Sequence, residues 1–286
     1  MTVLEVIQRS SEFLAKKGVE SPRLQVELLL GEILQLPRLK LYLDFERVLA
    51  DGELNRLREM VQRRANREPL QHIIGSTSFC GLTFMVNRDV LIPRPETEVL
   101  AERAWQLGEQ LQGERLGILD IGTGSGCLAV TLAAKFRKAE IHATDQSAPA
   151  LAVARTNAER HGVLNRIAFH ECDFITGLPA EMKFDLIVSN PPYIATAAIE
   201  ALEPEVRDHE PRTAVDGGPD GLMFFRRLAS EIGPRLANAG KMLAEFADGQ
   251  DLAVAQILAE QSWIVEEIVK DLAGTPRIII ARRPNS

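Results

Sequence analysis

Cysteine is scarce in this 286-residue chain, and the three present, Cys80, Cys127 and Cys172, are scattered. None forms a C-x-x-C pair and no histidine stands at ligand spacing, so neither a disulfide framework nor a metal site is expected. Aromatic residues are only 5% of the chain, and no low-complexity tract occurs. No apolar run approaches the roughly 18–20 residues that span a bilayer. The opening MTVLEVIQRS lacks a cationic segment followed by an apolar core, so no secretory leader is expected. Positive charge is also lacking. The net charge is −7 and the pI about 5.4, which argues against a protein that lives on bulk nucleic acid and leaves open only a local basic face. Residues 1–70 hold 12 Lys/Arg against 11 Asp/Glu, so there is no basic arm. These absences point to a cytoplasmic protein that engages neither membrane nor DNA.

What is present is core material, 45% hydrophobic residues, in a length that suits two domains or one large α/β domain with an appendage. The first seventy residues read as helices. Thr2 and Glu5 make a T-x-x-E capping box, and Gly18 ends that helix. Ser21-Pro22 reads as an N-cap followed by proline at the first helical position, and Leu24, Leu28, Leu29 and Ile33 fall on one face. Asp51 reads as the cap of a third segment carrying Leu54, Leu57 and Val61. Residues 1–72 are therefore expected to form a helical bundle serving substrate recognition. The stretch 73–94, β-branched, aromatic and punctuated by glycine, suggests a β-hairpin linker.

Pro95 starts a helix, and from Leu116 short apolar strands alternate with helices to the end of the chain. Residues 95–286 are thus expected to form a mostly parallel, doubly wound sheet with helices on both faces. Such sheets bind ligands at the carboxyl ends of their strands.

The segment Asp120-Ile121-Gly122-Thr123-Gly124-Ser125-Gly126 closes the first of these strands and opens a helix. Its glycines permit a tight turn and close approach of a ligand. The dinucleotide pattern G-x-G-x-x-G is not met, because position 127 is Cys. Asp120 would repel a pyrophosphate, and it suits a ligand with an ammonium, a sulfonium and no phosphate, which describes S-adenosylmethionine. Asp145 ends the second strand, where a carboxylate accepts both ribose hydroxyl protons. Asp173 follows the third strand, placed to meet an adenine amino group, and Phe174 could cover the ring. A single Asp at such a position is as readily a loop residue or helix cap; three, at successive strand ends, are harder to explain that way.

Asn190-Pro191-Pro192-Tyr193 follows the fourth strand. Two prolines fix two φ angles and remove two N–H donors, leaving a stiff backbone of carbonyls between an amide side chain and an aromatic ring. That arrangement grips a planar NH2 group: the Asn190 oxygen accepts one N–H, the Pro191 carbonyl the other, and Tyr193 stacks on the plane. An amide nitrogen is a poor nucleophile until it is oriented in this way.

Together DIGTGSG, Asp145, NPPYI, the upstream IPRPETE and the terminal DLAGTPRIIIAR resemble the bacterial protein-(glutamine-N5) methyltransferases of the PrmC (HemK) family, over essentially the whole chain. The resemblance implies a seven-stranded, Rossmann-like class I methyltransferase domain behind an N-terminal helical bundle. It implies S-adenosylmethionine as cofactor, held by Gly122, Thr123, Gly124, Ser125, Gly126, Asp145 and Phe174, with Asn190, Pro191, Pro192 and Tyr193 holding the substrate glutamine; Asp120, Asp173 and Asn190 are expected at the cofactor as well. It implies peptide chain release factors as partners, methylated on the glutamine of their Gly-Gly-Gln motif by a monomeric enzyme. The family often has Trp where Phe174 stands, which keeps the stacking surface and loses an indole N–H. An adenine-N6 nucleic-acid methyltransferase is the alternative, since such enzymes share the tetrapeptide; it would call for a target-recognition domain and a basic cleft, and neither is evident.

Overall fold

The computed structural model describes residues 1–111 and 116–284. They form two compact units, one of residues 1–76 with 203–209 and one of the described residues within 77–202 and 210–284. The expected boundaries at 72 and 94 differ from this division in two ways. Residues 203–209 cluster with the helical unit, and the hairpin clusters with the sheet.

The helical unit contains α1 (Val3–Lys16), α2 (Pro22–Leu34), α3 (Arg38–Leu41), α4 (Asp51–Ala65) and α5 (Leu70–Ile74). Thr2 and Glu5 exchange the two capping-box hydrogen bonds, at 2.9 and 3.2 Å. Three details depart from the sequence reading. Ser21 adopts a left-handed conformation and makes no side-chain cap, although Pro22 does begin α2. Ala50, not Asp51, occupies the cap of α4, and the Glu53 carboxylate accepts the Ala50 N–H at 2.9 Å. An acidic residue three places into a helix satisfies that orphan donor without any cap side chain. Leu24 and Leu28 are exposed, whereas Val26, Leu29, Leu30 and Ile33 are buried. The run of leucines offers two overlapping helical faces, and packing in one cluster with Val3, Ile7 and Leu57 selects the second.

Arg64, 4% exposed, binds the Gln25 side chain, the Glu68 carbonyl and Glu205. Arg67 meets both oxygens of Glu205, at 2.7 and 2.6 Å, and also Glu203. These two cations hold the single helical turn Pro204–Arg207 within the helical unit.

The second unit opens with the hairpin β1 (Ser76–Phe79) and β2 (Leu82–Met85) and continues through α6 (Pro95–Gln110), β3 (Gly117–Ile121), α7 (Cys127–Lys135), β4 (Glu140–Asp145), α8 (Ala148–Arg160), β5 (Ile167–Glu171), β6 (Phe184–Ser189), β7 (Leu236–Glu245), β8 (Ile264–Lys270) and β9 (Pro276–Arg282). The seven-stranded sheet has the order β5-β4-β3-β6-β7-β9-β8. Its first five strands are parallel, and β9 runs antiparallel to both neighbours.

Alternating strand residues feed two cores. Ile118, Ile141 and Leu186 pack with α6 and α7, while Leu119, Ile121 and Ile187 pack with the helices Met223–Glu231 and Asp251–Glu260. The hairpin is more than a linker: Phe79 and Phe84 are buried in the first core. Fully buried Asn157 of α8 exchanges hydrogen bonds with both main-chain groups of Met85 and donates to the Ser125 carbonyl at 2.8 Å. One amide thus ties the hairpin to the glycine loop. Among the described residues no helix is long and apolar enough to cross a membrane.

Removing one partner of a buried ion pair strands the other charge, whereas an exposed pair is worth little. Glu205→Ala is expected to cost about 3 kcal/mol, because Arg64 is buried. Glu203→Ala, whose side chain is 76% exposed, is expected to cost no more than about 0.5 kcal/mol. Urea unfolding monitored by circular dichroism compares the two; equal losses would contradict the assignment of Glu205 as the anchor.

Candidate active site

The parallel register aligns Ile121 of β3 with Thr144 of β4 and Ser189 of β6. The loops that leave these strands therefore surround one cavity. It is lined by Gly122 to Ser125, Asp145, Asp173, Phe174, Asn190, Pro191 and Pro192, among others. Gly122, Gly124 and Gly126 all have positive φ, and a Cβ at Gly126 would press on Ala154 at 3.0 Å. Only glycine serves a left-handed turn laid directly on a helix.

Asp120 lies beneath the loop and is 1% exposed. Its Oδ2 accepts the Thr123 hydroxyl at 2.7 Å and the Ala129 N–H at 3.1 Å. Its Oδ1 is buried and has no partner among the described residues. Burial raises the carboxyl to about 7, against those two hydrogen bonds. A buried unpaired carboxylate oxygen is costly by itself and becomes favourable once a cation or N–H donor meets it.

Asp145 is more fully engaged. Oδ2 accepts the Gly124 N–H and Oδ1 the Ser147 N–H, each at 2.9 Å. Each oxygen keeps a further lone pair for a ligand. Burial raises its pKa, and backbone donors pull the other way. Asp173 lines the cavity, but its Oδ1 accepts from Arg227 at 2.7 Å. The same guanidinium lies 4.5 Å from the centre of the buried Phe174 ring. Phe174 has φ +60°, a conformation uncommon outside glycine and costly for a bulky residue, which occurs where the surroundings fix a side chain for use.

Asn190 and the two prolines line the cavity, and Tyr193 does not. The Tyr193 ring packs against the second core and its hydroxyl donates to Glu245 Oε1 at 3.2 Å. The Tyr193 ring, expected to stack on a substrate plane, is engaged instead by this core and by Glu245. Phe224 is the aromatic residue that lines the cavity in addition to Phe174. Burial and the neighbouring Glu245 carboxyl push the Tyr193 phenol upward. Gly221 has φ +76°, and a Cβ there would collide with the Tyr193 carbonyl. The chain after the tetrapeptide is held by Ile194, whose N–H donates to the Val215 carbonyl and whose carbonyl accepts from Gly217.

A family model for the PrmC N-terminal domain matches residues 5–75, and one for the methyltransferase small domain matches residues 103–205. The release factor glutamine methyltransferase of Geobacter sulfurreducens is 42% identical over 98% of this chain and 96% of its own. That of Nitratidesulfovibrio vulgaris is 41% identical over 99% and 95%. This chain belongs to the release factor glutamine methyltransferase family. Among solved structures, the hMettl16 catalytic domain in complex with the MAT2A 3′UTR hairpin 6 superposes with a TM-score of 0.55. It shares 18% identity over 82% of this chain and 83% of its own, a likeness of fold.

In this family member the fold brings to the site two residues that the sequence reading does not single out. Thr97 at the start of α6 and Glu245 at the end of β7 are both 1% exposed. Thr97 donates to Glu245 Oε2 at 2.7 Å and accepts from Asn190 Nδ2 at 3.0 Å. Burial raises Glu245 to about 7, opposed by the bonds from Thr97 and Tyr193. Thr97 stands within the IPRPETE run, a signal that points toward the site. Nothing local marks Glu245. Among the described residues no group of three His, Cys, Asp or Glu side chains is arranged to hold a metal ion.

The raised Asp120 pKa has a definite sign. Its folded value of about 7 exceeds the ordinary 3.8, so stability from this group is full at low pH and is lost as pH rises toward 7. A carboxyl lifted that far loses at most about 4 kcal/mol of stability over this range. Asp120→Asn does not titrate. Its stability relative to wild type, without ligand, is therefore expected to improve from pH 5 to about pH 7 and to level off above that, in thermal or urea unfolding. A difference independent of pH would contradict the burial argument.

Proposed function

We propose that this chain transfers a methyl group from S-adenosylmethionine to the side-chain amide nitrogen of the glutamine in the Gly-Gly-Gln motif of peptide chain release factors. One observation carries the reading: a single cavity brings the glycine loop, Asp145 and Phe174 together with the amide-and-proline segment Asn190–Pro192. The near-full-length likeness to named release factor glutamine methyltransferases supports the choice of substrate.

The residues present fit a cationic nucleoside. Asp120 Oδ1 offers its free acceptor to an ammonium, directly or through water, and the glycine loop gives that group room. Asp145 presents its remaining lone pairs to ribose hydroxyls. Phe174, stiffened by Arg227, provides a flat apolar surface for adenine. Asp173 is assigned to the adenine amino group through the oxygen that Arg227 leaves free. When bound, the cofactor supplies an electrophilic methyl group on sulfur.

The protein's part in the chemistry is orientation. The Asn190 carboxamide oxygen and the Pro191 carbonyl accept the two amide N–H groups of glutamine and turn the nitrogen lone pair toward the methyl carbon. The bound cofactor would supply the methyl group for the new N–C bond and keep the electron pair of its own C–S bond. The methylated nitrogen then loses its extra proton to water or a carbonyl. Holding reactants in line supplies much of the rate in such a step, so no strong general base is needed. The reading also places the enzyme in the cytoplasm, where release factors act.

The test is incubation of the protein with labelled S-adenosylmethionine and purified release factor, with tRNA, DNA and ribosomes as controls. Label is expected in release factor alone, and its transfer to nucleic acid instead would overturn the proposal. Asn190→Ala is expected to slow single-turnover transfer by at least roughly a hundredfold with cofactor affinity nearly unchanged. Asp145→Ala is expected to weaken cofactor binding by about 1–3 kcal/mol in calorimetry. Unchanged values in folded variants would remove these residues from the roles given.

A further inference from the structure

The site contains a chain of buried and half-buried polar contacts that the methyl transfer itself does not require. Asn190 Nδ2 donates to Thr97 Oγ1 at 3.0 Å, and the Thr97 hydroxyl donates to Glu245 Oε2 at 2.7 Å. The other oxygen, Oε1, accepts the Tyr193 hydroxyl at 3.2 Å. Thr97 and Glu245 are each 1% exposed, so solvent cannot substitute for either partner.

The direction of these bonds follows from donor and acceptor chemistry. A hydroxyl has one proton. With Glu245 ionised, that proton is committed to its carboxylate, Thr97 has only lone pairs left for Asn190, and the amide presents its NH2 end to Thr97. The Asn190 oxygen is then the end left over. It has no protein partner among the described residues, and Asn190 lines the cavity. A carboxamide turned by 180° would instead offer N–H donors to the substrate.

We infer that Thr97 and Glu245 are positioning residues that lock the Asn190 carboxamide with its oxygen available to substrate, and so make the site select a side-chain amide over a carboxylate. The inference rests on the proposed reading of the site as a glutamine-binding one. A glutamine NH2 group finds an acceptor in this orientation. A glutamate carboxylate, with the same shape and no N–H, meets the Asn190 oxygen and the Pro191 carbonyl with nothing to donate. Sites built to accept a substrate N–H reject an analogue lacking it, because their own buried acceptors are left unpaired. Tyr193 joins the relay from the other side: its hydroxyl occupies the second Glu245 oxygen. This accounts for an aromatic residue in the tetrapeptide that does not line the cavity.

The test compares release factor carrying glutamine with release factor carrying a Gln→Glu change at the methylated position. The first is assayed as substrate and the second as competitive inhibitor. For the wild-type enzyme the glutamate form is expected to bind at least about tenfold more weakly. Thr97→Val keeps the shape and removes both hydrogen bonds, so the amide is free to turn. Its kcat is expected to fall at least about tenfold, and the Gln-over-Glu gap to narrow to about threefold or less. Thr97→Ser is expected to restore both.

Glu245→Met frees the Thr97 hydroxyl to donate to Asn190 and is expected to narrow the gap as well. Glu245→Gln retains an acceptor oxygen and is expected to preserve it. The Glu245 pair decides the matter if Thr97→Val does not fold, with cofactor affinity and thermal melting confirming that the tested proteins are intact. A merely structural role would lower stability or rate without changing the Gln-over-Glu gap, so an unchanged gap in Thr97→Val or Glu245→Met overturns the inference. A wild-type enzyme that fails to methylate glutamine at all overturns the functional reading instead, and the two failures are distinct.

Discussion

The register of the parallel strands is the constraint on which the site depends. Ile121, Thr144 and Ser189 lie side by side at the carboxyl edge of the sheet, and Ser189 in turn pairs with Ala244. One residue further along, the same level carries Gly122, Asp145, Asn190 and Glu245. One residue back, Asp120 is forced beneath the loop. Because successive strand residues face opposite sides, a one-place slip of any of these strands would turn its polar end away from the cavity and its apolar residues out of their core. The two hydrophobic layers that cover the sheet thus also fix the relative positions of the groups that bind and orient.

Two buried carboxylates on this edge show how similar environments serve different ends. Burial raises both Asp120 and Glu245 to about 7. Both oxygens of Glu245 are satisfied from within the protein, by Thr97 and Tyr193, so it stiffens its surroundings. One oxygen of Asp120 has no partner among the described residues. That unpaired acceptor lowers the stability of the ligand-free protein, and it makes a bound cation worth more than it would be against a satisfied carboxylate. Active sites commonly trade stability for such unspent interactions.

Much of this is legible in the sequence, for reasons that are local. Short apolar runs ending in Gly or Asp mark the strands from Leu116 onward and the acidic residues at their ends. The glycine loop and the proline pair announce their backbone requirements directly. Long-range partners are harder to see. Glu245 lies 148 positions from Thr97 and 52 from Tyr193, and no periodicity links such residues. Tyr193 points to the substrate in sequence terms because an aromatic beside a rigid turn has no local partner; the fold turns it inward. The buried face of α2 is ambiguous in sequence because two overlapping faces are both leucine-rich. Residues 203–209 have no composition of their own that assigns them to the helical unit; Arg64 and Arg67 do so in space.

The central claim is that Asp120 is held unpaired and partly protonated until a cationic cofactor meets it. Calorimetry of S-adenosylmethionine binding at pH 6.5, repeated in buffers of different ionisation enthalpy, counts the protons released. With a free-state pKa of about 7 that falls on binding, wild type is expected to release roughly 0.5–0.8 proton more than Asp120→Asn. Equal proton release by the two proteins, with equal affinity, would contradict the account.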